Sequence, residues 1–221
     1  QHHYHLVQED EDIHALVEKL KKATIFCFDT ETTELDPINA SLVGISFSIR
    51  EHEAYYVPMP ADHDQARALL QRFAPIFEDA SKELVAQNYK YDYKMLLKYG
   101  ICVSNRVFDT MIAHYLINPD GKHGMDELSE NYLQYTPIAI ETLIGKKGKS
   151  QGSMADLAMA AAEQSMQQAA QGGACAADGG APAAPLDYAV DTNADKIFLI
   201  NFEFKPSTAA WNDLRSVNIF I

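Results

Sequence analysis

A short apolar strand that runs directly into two acids constrains this chain more than any other feature. Thr24-Ile25-Phe26-Cys27-Phe28 is a compact run of β-formers, and Asp29-Thr30-Glu31-Thr32-Thr33 follows it without a break. Such a run suits the interior of a sheet. Alternation along a strand puts residues i and i+2 on one face, so Asp29 and Glu31 can converge on one point. Two carboxylates placed together are costly unless one is protonated or a cation bridges them. Oxygen ligands of this kind suit Mg²⁺ or Mn²⁺. By itself, Asp-x-Glu fits a solvated loop rich in Asp, Glu and Thr better than a metal site.

The surrounding pattern makes that strand part of an α/β domain. Asp10 to Lys22 reads as a helix, with Ile13, Leu16, Val17 and Leu20 at helical spacing. Ser41 to Ile49 and Glu53 to Pro58 read as two more strands, joined by a polar hairpin at Arg50-Glu51-His52. Three successive strands predict an opening antiparallel meander. Asp62 to Asp79 reads as a helix that Pro75 breaks or bends. Glu83 to Gln87 is a short strand, and Tyr89 to Tyr99 is a helix closed by Gly100. Val107-Phe108 is extended, Asp109 caps a helix through Ile117, and Met125 to Leu133 is another helix. Strands alternating with helices after a meander predict a mixed central sheet flanked by helices.

The chain changes character near Lys149. From Ser150 to Asp195 there is no Lys or Arg, and residues 151–185 hold 13 Ala and 5 Gly. The expected organisation is a core over 1–150, an Ala/Gly-rich insertion or loop over 151–186, and a remainder over 187–221. Met154 to Ala170 has the propensity of an Ala-rich helix, and 171–185 reads as a low-complexity loop. Ile197 to Phe204 is apolar and strand-like.

Charge and cysteine usage set further bounds. The 18 basic and 31 acidic residues give a net charge of −13, which argues against a protein that grips long nucleic acid by itself. It leaves room for an enzyme that cuts nucleic acid through bound cations, because grouped acid ligands stay uncompensated until the metal arrives. Cys27, Cys102 and Cys175 have no paired spacing, so neither a disulfide framework nor a zinc site is indicated. No apolar run reaches the ~20 residues of a membrane helix. Gln1-His2-His3-Tyr4-His5 lacks the regions of a signal peptide and reads as a tag scar or frayed terminus, so the expected setting is cytoplasmic. His114 and His123 read as helix-surface or capping groups.

Two further places carry acids. Asn88-Tyr89-Lys90-Tyr91-Asp92 sits where a strand gives way to a helix, at the rim where α/β proteins bind ligands. Asn88 reads as a helix cap and Asp92, one turn on, as a candidate metal ligand. Tyr188-Ala189-Val190-Asp191 would place a Tyr and an acid on one helical face. Alternatives are simple here: Tyr188 as core, Asp191 as a cap or exposed acid.

Taken in order, these features resemble a known family. Phe28-Asp29-Thr30-Glu31-Thr32-Thr33, Leu42-Val43-Gly44-Ile45-Ser46-Phe47-Ser48, Tyr55-Tyr56-Val57-Pro58 and Gln87-Asn88-Tyr89-Lys90-Tyr91-Asp92 are similar to the proofreading 3′–5′ exonuclease domain of bacterial family A DNA polymerases, the polymerase I type. So are Phe108 to Leu116, His123 to Leu128 and Leu143 to Lys149. The resemblance runs from about residue 4 to 150. It implies a ribonuclease H-like fold and two divalent cations, Mg²⁺ or Mn²⁺. It implies that Asp29, Glu31 and Asp92 are three of four metal-ligand acids, and that Thr30, Leu35, Asn88 and Tyr91 meet the substrate, with Leu35 wedged against the terminal bases. Asp109 matches an acid outside the metal shell and reads as a helix cap. The implied partners are a single-stranded or frayed DNA 3′ end and a polymerase domain in the parent protein.

The last motif departs from the family pattern of Tyr-x-x-x-Asp. The fourth residue after Tyr188 is Thr192; Asp191 comes one position early and Asp195 follows. Tyr188 and Asp191 remain the expected catalytic pair, since i+3 and i+4 share a helical face. A second alignment, through Ala160-Ala161-Ala162-Glu163-Gln164, would leave the fourth ligand missing and the domain degenerate. An RNA-trimming exonuclease of the ribonuclease D type is the third reading.

Overall fold

The fold was obtained as a computed structural model, which describes residues 3–136 together with Gly152. Its elements in chain order are β1 (His3–Leu6), α1 (Asp10–Lys22), β2 (Ile25–Thr32), β3 (Leu42–Arg50), β4 (Glu53–Pro58), α2 (His63–Gln71), α3 (Ala74–Phe77), β5 (Glu83–Ala86), α4 (Tyr89–Lys98), β6 (Arg106–Asp109), α5 (Thr110–Ile117) and α6 (Met125–Leu128), followed by a π turn at Ser129–Leu133. Six strands form one sheet in the order β1-β4-β3-β2-β5-β6. β2, β3 and β4 are the expected antiparallel meander, while β5 and β6 extend it in parallel on the other side of β2.

The two faces of β2 divide the molecule. Phe26 and Phe28 enter the main core with Phe47, Phe73 and Phe77; the Phe28 and Phe77 rings meet edge to face at 5.1 Å. Such burial of large apolar side chains dominates the stability of a domain this size. Cys27 instead joins Val85, Phe108 and Met125 on the opposite face. Alternation then carries Asp29 and Glu31 onto the Cys27 face and Thr30 onto the Phe28 face.

The structure corrects several boundaries. His3–Leu6 is not a frayed end: it pairs in parallel with β4, from His3↔Glu53 to Leu6↔Tyr56. β2 continues through Thr32, because Asp29 to Thr32 pair with β3, and a bulge shifts the register between Glu31 and Thr32. Bulges of this kind bend a strand and re-aim its side chains. The helix expected over 62–79 is two helices, and Pro75 opens the second, where its missing N–H costs nothing. Met125 to Leu133 is one α turn and then a π turn. No described helix is long and apolar enough to cross a membrane. The segments 151–186 and 187–221, including Tyr188, Asp191 and Asp195, lie outside the described residues apart from Gly152.

Candidate active site

Three acids meet where β2 ends and α4 begins. Asp29 and Glu31 are partly exposed on β2, and Asp92, on the first turn of α4, is 3% exposed. Thr30 ties the two elements together: its amide donates to Asp92 Oδ1 at 3.1 Å and its hydroxyl at 2.5 Å. Thr30 is itself buried, and its hydroxyl is engaged by Asp92.

Burial and neighbouring charges push these acids toward the neutral form. Burial, then the charges of Asp92 and Glu31, raise Asp29 well above the ordinary carboxylate range. Burial and Asp92 raise Glu31 to about 7. Burial raises Asp92 to about 6, against the lowering effect of the Thr30 hydrogen bonds. The site thus stores charge repulsion that a cation or a proton relieves.

The neighbouring strand β3 places further groups opposite the acids. Gly44 faces Glu31 across the β2–β3 ladder, and a Cβ there would lie 2.0 Å from the Tyr56 hydroxyl. Only a glycine lets Tyr56 lie over this position. The charge of Glu31 in turn contributes to raising Tyr56. Ser46 faces Asp29, and its hydroxyl is buried with no hydrogen-bond partner. A glycine inside a strand run was the one signal for this crossing.

Three carboxylates with an orphaned buried hydroxyl opposite one of them are the donor chemistry of a hard divalent cation. Among the described residues no three His, Cys, Asp or Glu side chains gather tightly enough to hold a cation by themselves. The donors fit such an ion in kind, with water or a substrate phosphate to fill the remaining positions.

Tyr91 and Asp109 fix the flanks. The Tyr91 hydroxyl donates to the Glu34 carbonyl at 2.6 Å and lies 2.7 Å from the Thr32 hydroxyl, so it pins the start of the loop that carries Leu35. Leu35 is 84% exposed. Asn88 does not cap α4 through its side chain; it takes the left-handed conformation, φ 57°. The cap comes from Asp109, whose carboxylate accepts from the amides of Asn88 at 3.1 Å and Tyr89 at 2.9 Å. The same carboxylate caps α5 through Met111 and Ile112, as expected.

A family model described as 3′-5′ exonuclease matches residues 4–170. The chain belongs to the 3′–5′ exonuclease family of family A DNA polymerases. DNA polymerase I of Borreliella burgdorferi is 42% identical to this exonuclease domain over 134 residues, 59% of the chain and 15% of that protein. DNA polymerase I of Pseudomonas aeruginosa is 35% identical over 156 residues, 66% of the chain and 17% of that protein. The exonuclease chain thus spans about a sixth of the length of these relatives. Its fold is similar to the catalytic core of RRP6 from Trypanosoma brucei, at a TM-score of 0.54 and 22% identity, covering 67% of this chain and 38% of that one. It is also similar to Escherichia coli RNase D, at a TM-score of 0.51 and 17% identity, covering 76% and 46%. The ribonuclease H-like architecture expected from the sequence is the one found. The family match ends before Tyr188 and Asp191 and includes Ala160 to Gln164.

Proposed function

We propose that the domain removes nucleotides from the 3′ end of single-stranded or frayed DNA, as the proofreading part of a DNA polymerase. The observation that carries this is the meeting of Asp29, Glu31 and Asp92, drawn from segments about 60 residues apart and each pushed toward its neutral form by burial and by its neighbours. Two divalent cations, Mg²⁺ or Mn²⁺, would supply an activated water and offset the charge on the leaving 3′ oxygen when bound. Asp29, Glu31, Asp92 and Asp191 would hold these ions. Tyr188 would orient the attacking water. Leu35 would stack against the last bases from its exposed loop, and Asn88 and Tyr91 would contact the strand.

Stacking contributes about 1–3 kcal/mol per base and tolerates any sequence. A paired end must melt before it reaches such a site, so selectivity for mismatches follows from fraying. With a net charge of −13, the domain would lean on a polymerase domain for its grip on DNA.

A second reading has one observation in its favour. The family match stops at residue 170, so it supports the alignment in which Gln164 stands in the fourth-ligand position. That reading makes the domain a degenerate scaffold.

A 5′-labelled strand annealed with either a paired or a mismatched 3′ end tests the proposal in Mg²⁺ or Mn²⁺. The expected result is stepwise shortening, faster from the mismatched end. Equal rates would remove proofreading, and no shortening by folded protein would favour the scaffold.

A further inference from the structure

The sequence reading placed His114 and His123 on a helix surface or at a cap. Instead, His114 is 3% exposed on α5 and bonds to His123, with their Nδ1 atoms 2.7 Å apart. The rings cross at 64°; Tyr132 lies edge-on to His114 and Tyr115 edge-on to His123. At that separation one Nδ1 carries a hydrogen and the other offers its lone pair.

The pair is joined to the active-site rim. Gln87 Nε2 donates to the His123 carbonyl at 2.7 Å, and Gln87 Oε1 accepts from the Thr110 hydroxyl. Gln87 precedes Asn88, the left-handed bend whose amide Asp109 holds. The bend is therefore gripped from two sides, by Asp109 at the head of α5 and by the segment that His114 keeps in place.

We propose that His114 and His123 are positioning residues: their shared hydrogen bond holds the segment at His123 against Gln87, fixes the Asn88 bend for the substrate strand, and opens when both rings are protonated. The inference rests on the exonuclease reading above and on Asn88 meeting the strand.

Proton accounting sets the direction. A first proton enters on Nε2 of the donor ring and leaves the Nδ1–H···Nδ1 bond intact. A second must take the lone pair the bond uses, which sets two N–H groups against each other. Burial, and then the charge of His123, hold His114 below the ordinary histidine value. Among the described residues no carboxylate pairs with either ring. Lys122 pairs with Glu127 at 3.3 Å, and Asp120, Asp126 and Glu130 are exposed. Asp109 at the α5 cap is committed to backbone amides. The latch is closed at neutral pH and opened by acid.

The test measures KM and kcat of the full chain on a 5′-labelled single strand between about pH 5 and 8, where histidine titrates. It compares wild type, His123→Ala, and the double variant His114→Asn/His123→Asn, whose amides supply an N–H···O bond but take no proton. His123→Ala should raise KM roughly three- to tenfold at neutral pH, the worth of one hydrogen bond, with a smaller change in kcat. Wild-type KM should climb on the acid side, and the double variant should flatten that climb. An unchanged KM in His123→Ala, or the same acid rise in the double variant, overturns the proposal. Imidazole ¹⁵N spectra of the full chain without substrate read the pair independently: two ordinary, uncoupled titrations overturn it whether or not the chain is active. A bonded pair in an inactive wild type would sink the exonuclease reading and the positioning role with it.

Discussion

Asp92 accepts two hydrogen bonds from Thr30, a residue 62 positions earlier, one from the amide and one from the hydroxyl. The contact joins α4 to β2 at the point where the acids meet. It also stabilises the charged form of Asp92 against its burial. Thr30→Val keeps the shape and removes the hydroxyl bond. Asp92 should then rise further, and nuclease activity at neutral pH should fall about tenfold, the worth of one hydrogen bond to a charged group. The loss should shrink at higher pH, where Asp92 ionises anyway. A pH–rate profile checks this; a profile unchanged from wild type would disprove the role.

The raised acids fix the sign of a stability change with pH. Glu31 rises to about 7 and Asp92 to about 6, and Asp29 is raised too, so each binds its proton more tightly in the folded chain than in the unfolded one. Their ionisation works against folding, so their contribution to stability falls as pH rises from the ordinary carboxylate range through about 7. A divalent cation should offset the loss. Melting curves should show Mn²⁺ raising Tm more at about pH 8 than at about pH 5.5, with the difference much reduced in Asp29→Asn. A Tm gain independent of pH in both proteins would contradict it.

Asp109 caps two helices at once. Caps contribute about 0.5–2 kcal/mol each, so Asp109→Ala should cost about 2–3 kcal/mol in chemical denaturation. Asp109→Asn should lose less, since one amide oxygen still accepts. Equal stability of all three proteins would show that the carboxylate is not holding the bend.

Leu35 separates function from folding. It is 84% exposed, so Leu35→Ala should leave the unfolding free energy within about 0.5 kcal/mol of wild type. Loss of base stacking should weaken single-strand binding by about five- to a hundredfold. Fluorescence anisotropy with a labelled oligonucleotide reads the affinity; equal affinity would move the wedge to another residue.

How far the sequence could be read follows from which forces are local. The meander was legible because 24–28, 41–49 and 53–58 are runs of β-formers, and Asp109 was legible as a cap from its place before a helix. β1 was not, since His3–Leu6 is polar and mostly exposed, and only its parallel pairing with β4 makes it a strand. The end of β2 was cut short because Asp29 to Thr32 are polar, and the ladder to β3 holds them extended. In the site, Asp29, Glu31 and Asp92 were legible through the family resemblance. The Thr30–Asp92 bond, Tyr56 over Gly44 and the His114–His123 pair were not, because each depends on residues brought together by the finished fold.

The most direct test of the central claim is degradation of a 5′-labelled single-stranded DNA by the wild-type chain and by Asp29→Ala and Asp191→Ala, each shown to be folded by circular dichroism. The account predicts a ladder that requires Mg²⁺ or Mn²⁺ and disappears in both variants. A ladder that persists in Asp29→Ala, or none from the folded wild type, would contradict it.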